Sequence, residues 1–156
     1  MLNIAVIGGS KCSEKAYKTA KVVGELIAQE NWVLVCGGGP GVMEAACCGA
    51  KQSGGVTVGL LPSYDGKEAN NYLDIKIPTG LGFVRNTLVV RSADYIVAVD
   101  GKYGTLSEIG FALSEGKIVV GIDSWDIEGI IKKETPKDAI EEIKYHVKQK
   151  RNQRFN

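Results

Sequence analysis

The 156 residues of this chain are enough for one hydrophobic core and too few for two ordinary domains, so a single domain over residues 1–156 is expected. The hydrophobic share is 44%, the charged share 24% and the formal net charge +1. That is an ordinary globular balance, with no overall field to gather nucleic acid or an anionic membrane surface. The 20 glycines follow no collagen-like period and sit between apolar runs, which marks turns and close backbone approaches rather than disorder.

Residues 2–8 form a continuous apolar run ending in Gly8-Gly9-Ser10, the pattern of a strand buried on both faces. From Ser13, a candidate N-cap, the period becomes helical, with Ala16, Ala20, Val23, Leu26 and Ile27 on one face. Trp32 to Cys36 reads as a second strand, ending at Gly37-Gly38-Gly39-Pro40-Gly41, and a helix runs from Val42 to about Gln52. Val56 to Leu60 is a third strand, residues 62–73 a polar loop, and Asp74 to Ile77 a short strand. Leu81 to Ser92 reads as a helix, Tyr95 to Val99 as a buried strand, and Gly104 opens a helix to about Glu115, with Gly116 as its C-cap. Ile118 to Ile122 is the last clear strand, and Asp138 to Lys148 a final amphipathic helix. This alternation predicts an α/β fold: one Rossmann-like, doubly wound parallel sheet with helices on both faces.

Of the four cysteines, Cys12, Cys36, Cys47 and Cys48, no two have C-x-x-C spacing, and His146 is the only histidine. No metal site is expected from so few ligands. Met1 to Ile7 lacks the charged region of a signal peptide, and no apolar stretch reaches the length of a membrane span. A cytoplasmic location with reduced thiols is expected, with no membrane and no nucleic acid as partners. The basic residues Lys144, Lys148, Lys150, Arg151 and Arg154 read as cations closing the last helix, followed by a frayed tail. No aromatic residues interleave with them to stack on bases.

The chemistry concentrates where ligands bind in such sheets, beyond the carboxyl ends of the strands at the reversal of strand order. Three glycine-bearing loops follow predicted strands there: Gly8 to Ser10, Gly37 to Gly41, and Gly101 to Gly104. Each leads into a helix, whose first amides and partial positive charge favour a phosphate. None carries the full G-x-G-x-x-G dinucleotide fingerprint or the G-x-x-x-x-G-K-[ST] phosphate loop, which argues against NAD and P-loop chemistry. Glu108 falls three residues after Thr105; the pair reads as a capping box or, alternatively, as a phosphate contact with a carboxylate facing a sugar. Arg85 is either a snorkelling surface arginine or a side chain pointing into the site toward an anion or Glu108.

Gly37 to Ala46 resembles the G-G-G-x-x-G-x-M element of the "lonely guy" (LOG) family of cytokinin riboside 5′-monophosphate phosphoribohydrolases, once mistaken for lysine decarboxylases. Gly101 to Glu108 is similar to that family's P-G-G-x-G-T-x-x-E element, Arg85 stands at the interval of its active-site arginine, and Gly9-Ser10 resembles its first loop. Arg85 to Asp94 looks closer to a sister branch, the molybdenum cofactor carrier proteins. The resemblance covers residues 3 to 122. It implies Arg85 and Glu108 as catalytic residues, and a binding set of Gly9, Ser10, Gly38, Gly39, Gly41, Val42, Met43, Gly101, Lys102, Tyr103, Gly104 and Thr105. Asp100 and Lys102 depart from the family's Pro-Gly-Gly, and Ser107-Glu108 keeps one carboxylate where the enzymes have two. These departures bear on turnover more than on binding; Lys102 either adds a cation for a phosphate or crowds the loop.

A hydrolase of this kind would seat a nucleoside 5′-monophosphate on the amides of the Gly39–Met43 and Gly104–Leu106 turns. Glu108 would face the ribose as the N-glycosidic bond breaks. No cofactor is required for that reaction, and a bound nucleotide or phosphate is the expected ligand. The alternative is a carrier or sensor that holds a phosphorylated cofactor such as molybdopterin without turnover. There Cys36 would face the ligand, although a cysteine at a strand end reads first as a small buried apolar residue. The helix from 81 to 92 carries too many large apolar residues for one buried face, so a homodimer or homotetramer is expected.

Overall fold

The computed structural model describes residues 1–153. Seven parallel strands form one sheet: β1 (Asn3–Gly8), β2 (Val33–Cys36), β3 (Val56–Leu61), β4 (Ile75–Pro78), β5 (Tyr95–Val99), β6 (Val119–Ile122) and β7 (Ile130–Lys133). Five α-helices accompany them: α1 (Glu14–Gln29), α2 (Val42–Gln52), α3 (Arg85–Ser92, entered through a 3-10 turn at Gly82–Val84), α4 (Tyr103–Ser114) and α5 (Pro136–Gln153). The order β4-β3-β2-β1-β5-β6-β7 reverses direction between β1 and β5. This is the expected doubly wound, Rossmann-like sheet, and its switch point lies at the ends of those two strands.

Successive residues of β1 serve opposite faces. Ile4 and Val6 pack with α1, α2 and α5, through Val23, Ile27, Ala46 and Ile143. Ala5 and Ile7 pack with α3 and α4, through Val89, Val90, Ile109 and Ala112. Both faces of the central strands are covered, which is why their sequences run apolar without alternation. Ser13 caps α1 as expected, its Oγ accepting the Ala16 N–H at 3.1 Å. Gly116, with φ +69°, closes α4: its N–H donates to Leu113 O at 3.0 Å, while the Lys117 N–H donates to Ala112 O at 3.0 Å.

Two elements differ from the sequence expectation. Residues 130–133 form a strand at the sheet edge, where burial on one side only permits the charged half Lys132-Lys133. Helix α5 begins at Pro136 and continues to Gln153, beyond the expected Asp138 to Lys148 at both ends, and Lys150 and Arg151 stand in its last turn as the cations expected to close it. Arg154 lies outside the described residues. Thr135 and Asp138 start that helix, with the Asp138 N–H donating to Thr135 Oγ1 at 3.1 Å.

Helices α1 and α2 meet backbone to backbone at two glycines that no sequence pattern marked. A methyl group on Gly24 would run into the Ala46 carbonyl oxygen, and one on Gly49 into that of Lys21. Replacing Gly24 by alanine gains about 0.5–1 kcal/mol of helix propensity. Overpacking of a close contact costs about 1–3 kcal/mol, and here the obstacle is backbone that cannot rotate away. Gly24→Ala is therefore expected to lower the urea midpoint of unfolding; an unchanged or raised midpoint would mean that the two helices can separate freely.

Candidate functional site

A cleft of about 320 Å³ opens at the switch point. Its floor is the end of β1, Val6 to Gly8, continuing into Gly9, Ser10 and Lys11. Gly37, just past β2, and Met43, in the first turn of α2, form one wall. Phe83, Arg85 and Asn86 come from the 3-10 turn and α3, while Lys102, Gly104, Thr105 and Glu108 come from the start of α4.

These loops lie against one another because they lack side chains. A Cβ on Gly8 would meet Val42, and one on Gly41 (φ +71°) would strike the Gly9 carbonyl oxygen. The Val42 N–H donates to that same carbonyl at 3.0 Å. The third loop turns sharply at Asp100 and Gly101, both with positive φ (51° and 102°), and is braced from the segment that follows β6. Ser124 Oγ donates to Asp100 O at 2.8 Å, and Trp125 Nε1 donates to Lys102 O at 3.1 Å.

Arg85 is not a snorkelling surface arginine. It is only 9% exposed, and its Nε is buried without a hydrogen-bond partner among the described residues. The guanidinium lies on the Gly37 peptide, so closely that a Cβ there would sit 2.7–2.9 Å from its atoms. One terminal nitrogen, Nη1, donates to Asn86 Oδ1. Burial pulls the Arg85 pKa below its ordinary value, and the Glu108 carboxylate opposes that shift.

Glu108 is 7% exposed; burial pushes its pKa from 4.5 up to about 7, with Arg85 pulling the other way. The two groups make no direct ion pair among the described residues. The capping-box reading fails: Thr105 is the third residue of α4, not its N-cap, and no side chain caps that helix. Its hydroxyl-bearing side chain and Glu108 are instead buried on the cleft side of the first two turns. The first intrahelical bond of α4 runs from Leu106 N to Lys102 O at 2.9 Å, which leaves the amides of Tyr103, Gly104 and Thr105 ahead of the ladder.

Of the residues expected at the site, Gly9, Ser10, Met43, Arg85, Lys102, Gly104, Thr105 and Glu108 line the cleft. Gly38, Gly39, Gly41, Val42, Gly101 and Tyr103 lie outside its wall. Val42 is core, Gly41 and Gly101 make close loop contacts, and Tyr103 points outward with its ring 5.9 Å from that of Trp125. The expected amide cradle is accordingly narrower, since the Val42 and Leu106 amides are already bonded within the protein. Lys102 stands in the cleft wall and adds a cation there. Cys36 is fully buried; its Sγ accepts the Gly38 N–H at 3.3 Å and touches Cys47 Sγ at 3.5 Å, so it supports the loop from below. Lys11, Asn86 and Phe83 are additions that the glycine pattern did not reach. Lys11 directly follows Ser10, and extending the first loop by one residue would have included it.

Chemically, the cleft offers three cations, Lys11, Arg85 and Lys102, a helix N-terminus, and one carboxyl able to take or give a proton near neutrality. That set suits an anionic ligand carrying a polar or sugar-like portion.

Comparison with known proteins places this architecture. The model of the SLOG cluster4 family matches residues 1–152. The structure of a molybdenum cofactor binding protein from Rippkaea orientalis superposes with a TM-score of 0.90 at 36% identity, covering 94% of this chain and 97% of that one. The molybdenum cofactor carrier protein of Chlamydomonas reinhardtii gives a TM-score of 0.85 at 32% identity, covering 93% and 98%. A cytokinin riboside 5′-monophosphate phosphoribohydrolase of Mycobacterium tuberculosis is 32% identical over 115 residues. That match takes in 68% of this chain and 62% of the enzyme, so the chain spans about three fifths of the hydrolase's length.

The raised pKa of Glu108 has a consequence for stability. Between pH 4.5 and about 7 the unfolded chain gives up this proton while the folded chain keeps it. Stability contributed below pH 4.5 is lost as the pH rises toward 7, by up to about 3 kcal/mol for a shift of this size. Glu108→Gln is expected to remove that slope: denaturation of both proteins across pH 5 to 8 should show the variant gaining on the wild type as pH rises. Parallel curves would place the carboxyl in contact with bulk water.

Proposed function

This chain belongs to the SLOG cluster4 family, and we propose that its cleft holds the phosphate end of a phosphorylated small molecule, with the chain acting as a carrier of a phosphorylated pterin cofactor of the molybdopterin type. The observation that carries the reading is Arg85: a buried guanidinium whose Nε has no partner among the described residues, at the wall of a cleft that also receives the first turn of α4. A buried charge is stable only when paired and fully hydrogen-bonded, and a phosphate supplies both. The Tyr103, Gly104 and Thr105 amides and the Lys102 ammonium would complete its shell. The carrier reading is favoured over a nucleotide enzyme because likeness to a binding protein and a carrier protein extends over nearly all of both chains. The hydrolase match spans less of its enzyme.

A second reading has its own support in Glu108, a buried carboxyl whose proton is exchangeable near neutrality. On that reading the ligand is a nucleoside 5′-monophosphate, and Glu108 stabilises positive charge on the ribose or orients water as the N-glycosidic bond breaks. A cytoplasmic location belongs to either reading: Cys12, Cys36, Cys47 and Cys48 are all free thiols, the state a reducing compartment maintains. No helix among the described residues is long and apolar enough to cross a membrane.

Mass spectrometry of the small molecule retained through mild purification distinguishes the readings, a pterin supporting the carrier. Incubation with AMP, followed by chromatographic detection of adenine, is expected to show no release; release abolished by Glu108→Gln would overturn the carrier in favour of the hydrolase. Charge-assisted hydrogen bonds are worth about 1.5–3 kcal/mol, so Arg85→Met is expected to weaken binding of AMP or inorganic phosphate by roughly ten- to a hundredfold. Unchanged affinity by calorimetry would remove Arg85 from the site. The exposed apolar side chains Leu81, Phe83, Val84 and Leu88 form the face proposed to be covered by a second copy of the chain. Light scattering is expected to give at least a dimer, and a monomer would overturn that part.

A further inference from the structure

The glycine loop beneath Arg85 is held from an unexpected quarter. The polar segment 62–73 has no helix or strand of its own, yet it returns to the site at Asn70, which is 7% exposed. The Asn70 side chain Nδ2 donates to both Gly38 O, at 3.2 Å, and Gly39 O, at 3.0 Å. Its backbone N–H donates to Gly38 O as well, at 2.9 Å. Its Oδ1 accepts the Tyr72 N–H at 3.0 Å, which fixes the orientation of the amide.

Gly38 is thus gripped on both sides, because its own N–H donates to Cys36 Sγ at 3.3 Å. Its φ of +77° is one that a side chain would strain, and a Cβ would also crowd Leu61. Two consecutive carbonyls are turned toward Asn70, and each is a partial negative charge kept from facing the cleft. The Gly38–Gly39 peptide is trans, so fixing its carbonyl toward Asn70 points the Gly39 N–H the opposite way. The residue just ahead, Gly37, is the one on which the Arg85 guanidinium rests.

We propose that Asn70 is a positioning residue for the anion site: by drawing the Gly38 and Gly39 carbonyls to itself, it fixes the glycine loop that seats Arg85. The second half of this inference rests on the phosphate reading above; the first half does not. Asparagine is specific for the task. Aspartate keeps the shape and the acceptor for Tyr72 N–H, but it loses both side-chain donors and sets a carboxylate against two carbonyl oxygens. Asn71, next in the chain and exposed, serves as the control.

The test uses the full chain with Asn70→Asp, Asn70→Ala and Asn71→Ala. Amide hydrogen exchange read by mass spectrometry is expected to rise at least tenfold over residues 37–43 in both Asn70 variants. Exchange in β1 should stay unchanged, and so should that of Asn71→Ala throughout. Calorimetry with inorganic phosphate and with AMP is expected to show at least tenfold weaker binding for both Asn70 variants. Wild-type exchange in Asn70→Asp would overturn the clamp, because that variant retains everything except the two donors. Loosened exchange with undiminished phosphate affinity would overturn the coupling of the clamp to Arg85. If the wild-type chain itself binds neither probe, the phosphate reading falls, while the exchange data still decide the clamp. Loss of protection across the whole sheet in Asn70→Ala would mark a general folding role for that variant, and Asn70→Asp, with its size and Tyr72 bond preserved, would then decide.

Discussion

A guanidinium that keeps its charge under the protein surface sets the terms for everything around it. Arg85 can stay ionised where it lies only because nearby groups compensate for the water it has lost: the Asn86 side chain, the flat peptide of Gly37 and the field of Glu108. Its buried Nε still lacks a partner among the described residues. The glycine at position 37 follows from this, since any side chain there would displace the guanidinium. Glu108, buried nearby but not joined to the cation, has its pKa raised by its own burial, and the guanidinium partly offsets that rise. The sheet's contribution is geometric. Reversal of strand order between β1 and β5 leaves a gap above their ends, and three loops and α3 fill its rim.

Much of the architecture is legible in the residues. Tyr95 to Val99 and Val33 to Cys36 are unbroken apolar runs because both sides of those strands are buried, and glycine runs follow where the chain must turn at once into a helix. The edges are less legible. Residues 130–133 pair on one side only, so Lys132 and Lys133 are allowed and the apolar signal fades. Gly24 and Gly49 look like weak spots in helices; their role emerges only when the two helices are brought into contact. At the site, the spacing of Thr105 and Glu108 fits a capping box equally well. What decides against it is the start of α4 at Tyr103, three residues earlier than the cap would require. Arg85 shows the same limit: one arginine among apolar neighbours has two opposite meanings until the fold says which side of the helix faces the sheet. Asn70 carried no sequence signal at all, because its partners are 31 and 32 residues away.

Asp100 and Lys102, the departures in the third loop, each have a structural setting. Asp100 adopts a positive φ that glycine usually takes, and Lys102 brings a flexible cation to the rim. Ser124 and Trp125 hold carbonyls of this loop from the segment that follows β6. Glu108 retains the chemistry of an acid, and its neighbour Ser107 spends its hydroxyl on the helix backbone, donating to Gly104 O at 2.7 Å.

The indole of Trp125 also makes this chain its own optical instrument. Its N–H is tied to the carbonyl of Lys102 and its ring leans on Tyr103, so its emission should follow any rearrangement of that rim. The chain's other tryptophan, Trp32, directly precedes β2 and so sits at the end of the sheet away from the cleft. It supplies a steady background against which changes at the mouth can be read, with no label attached.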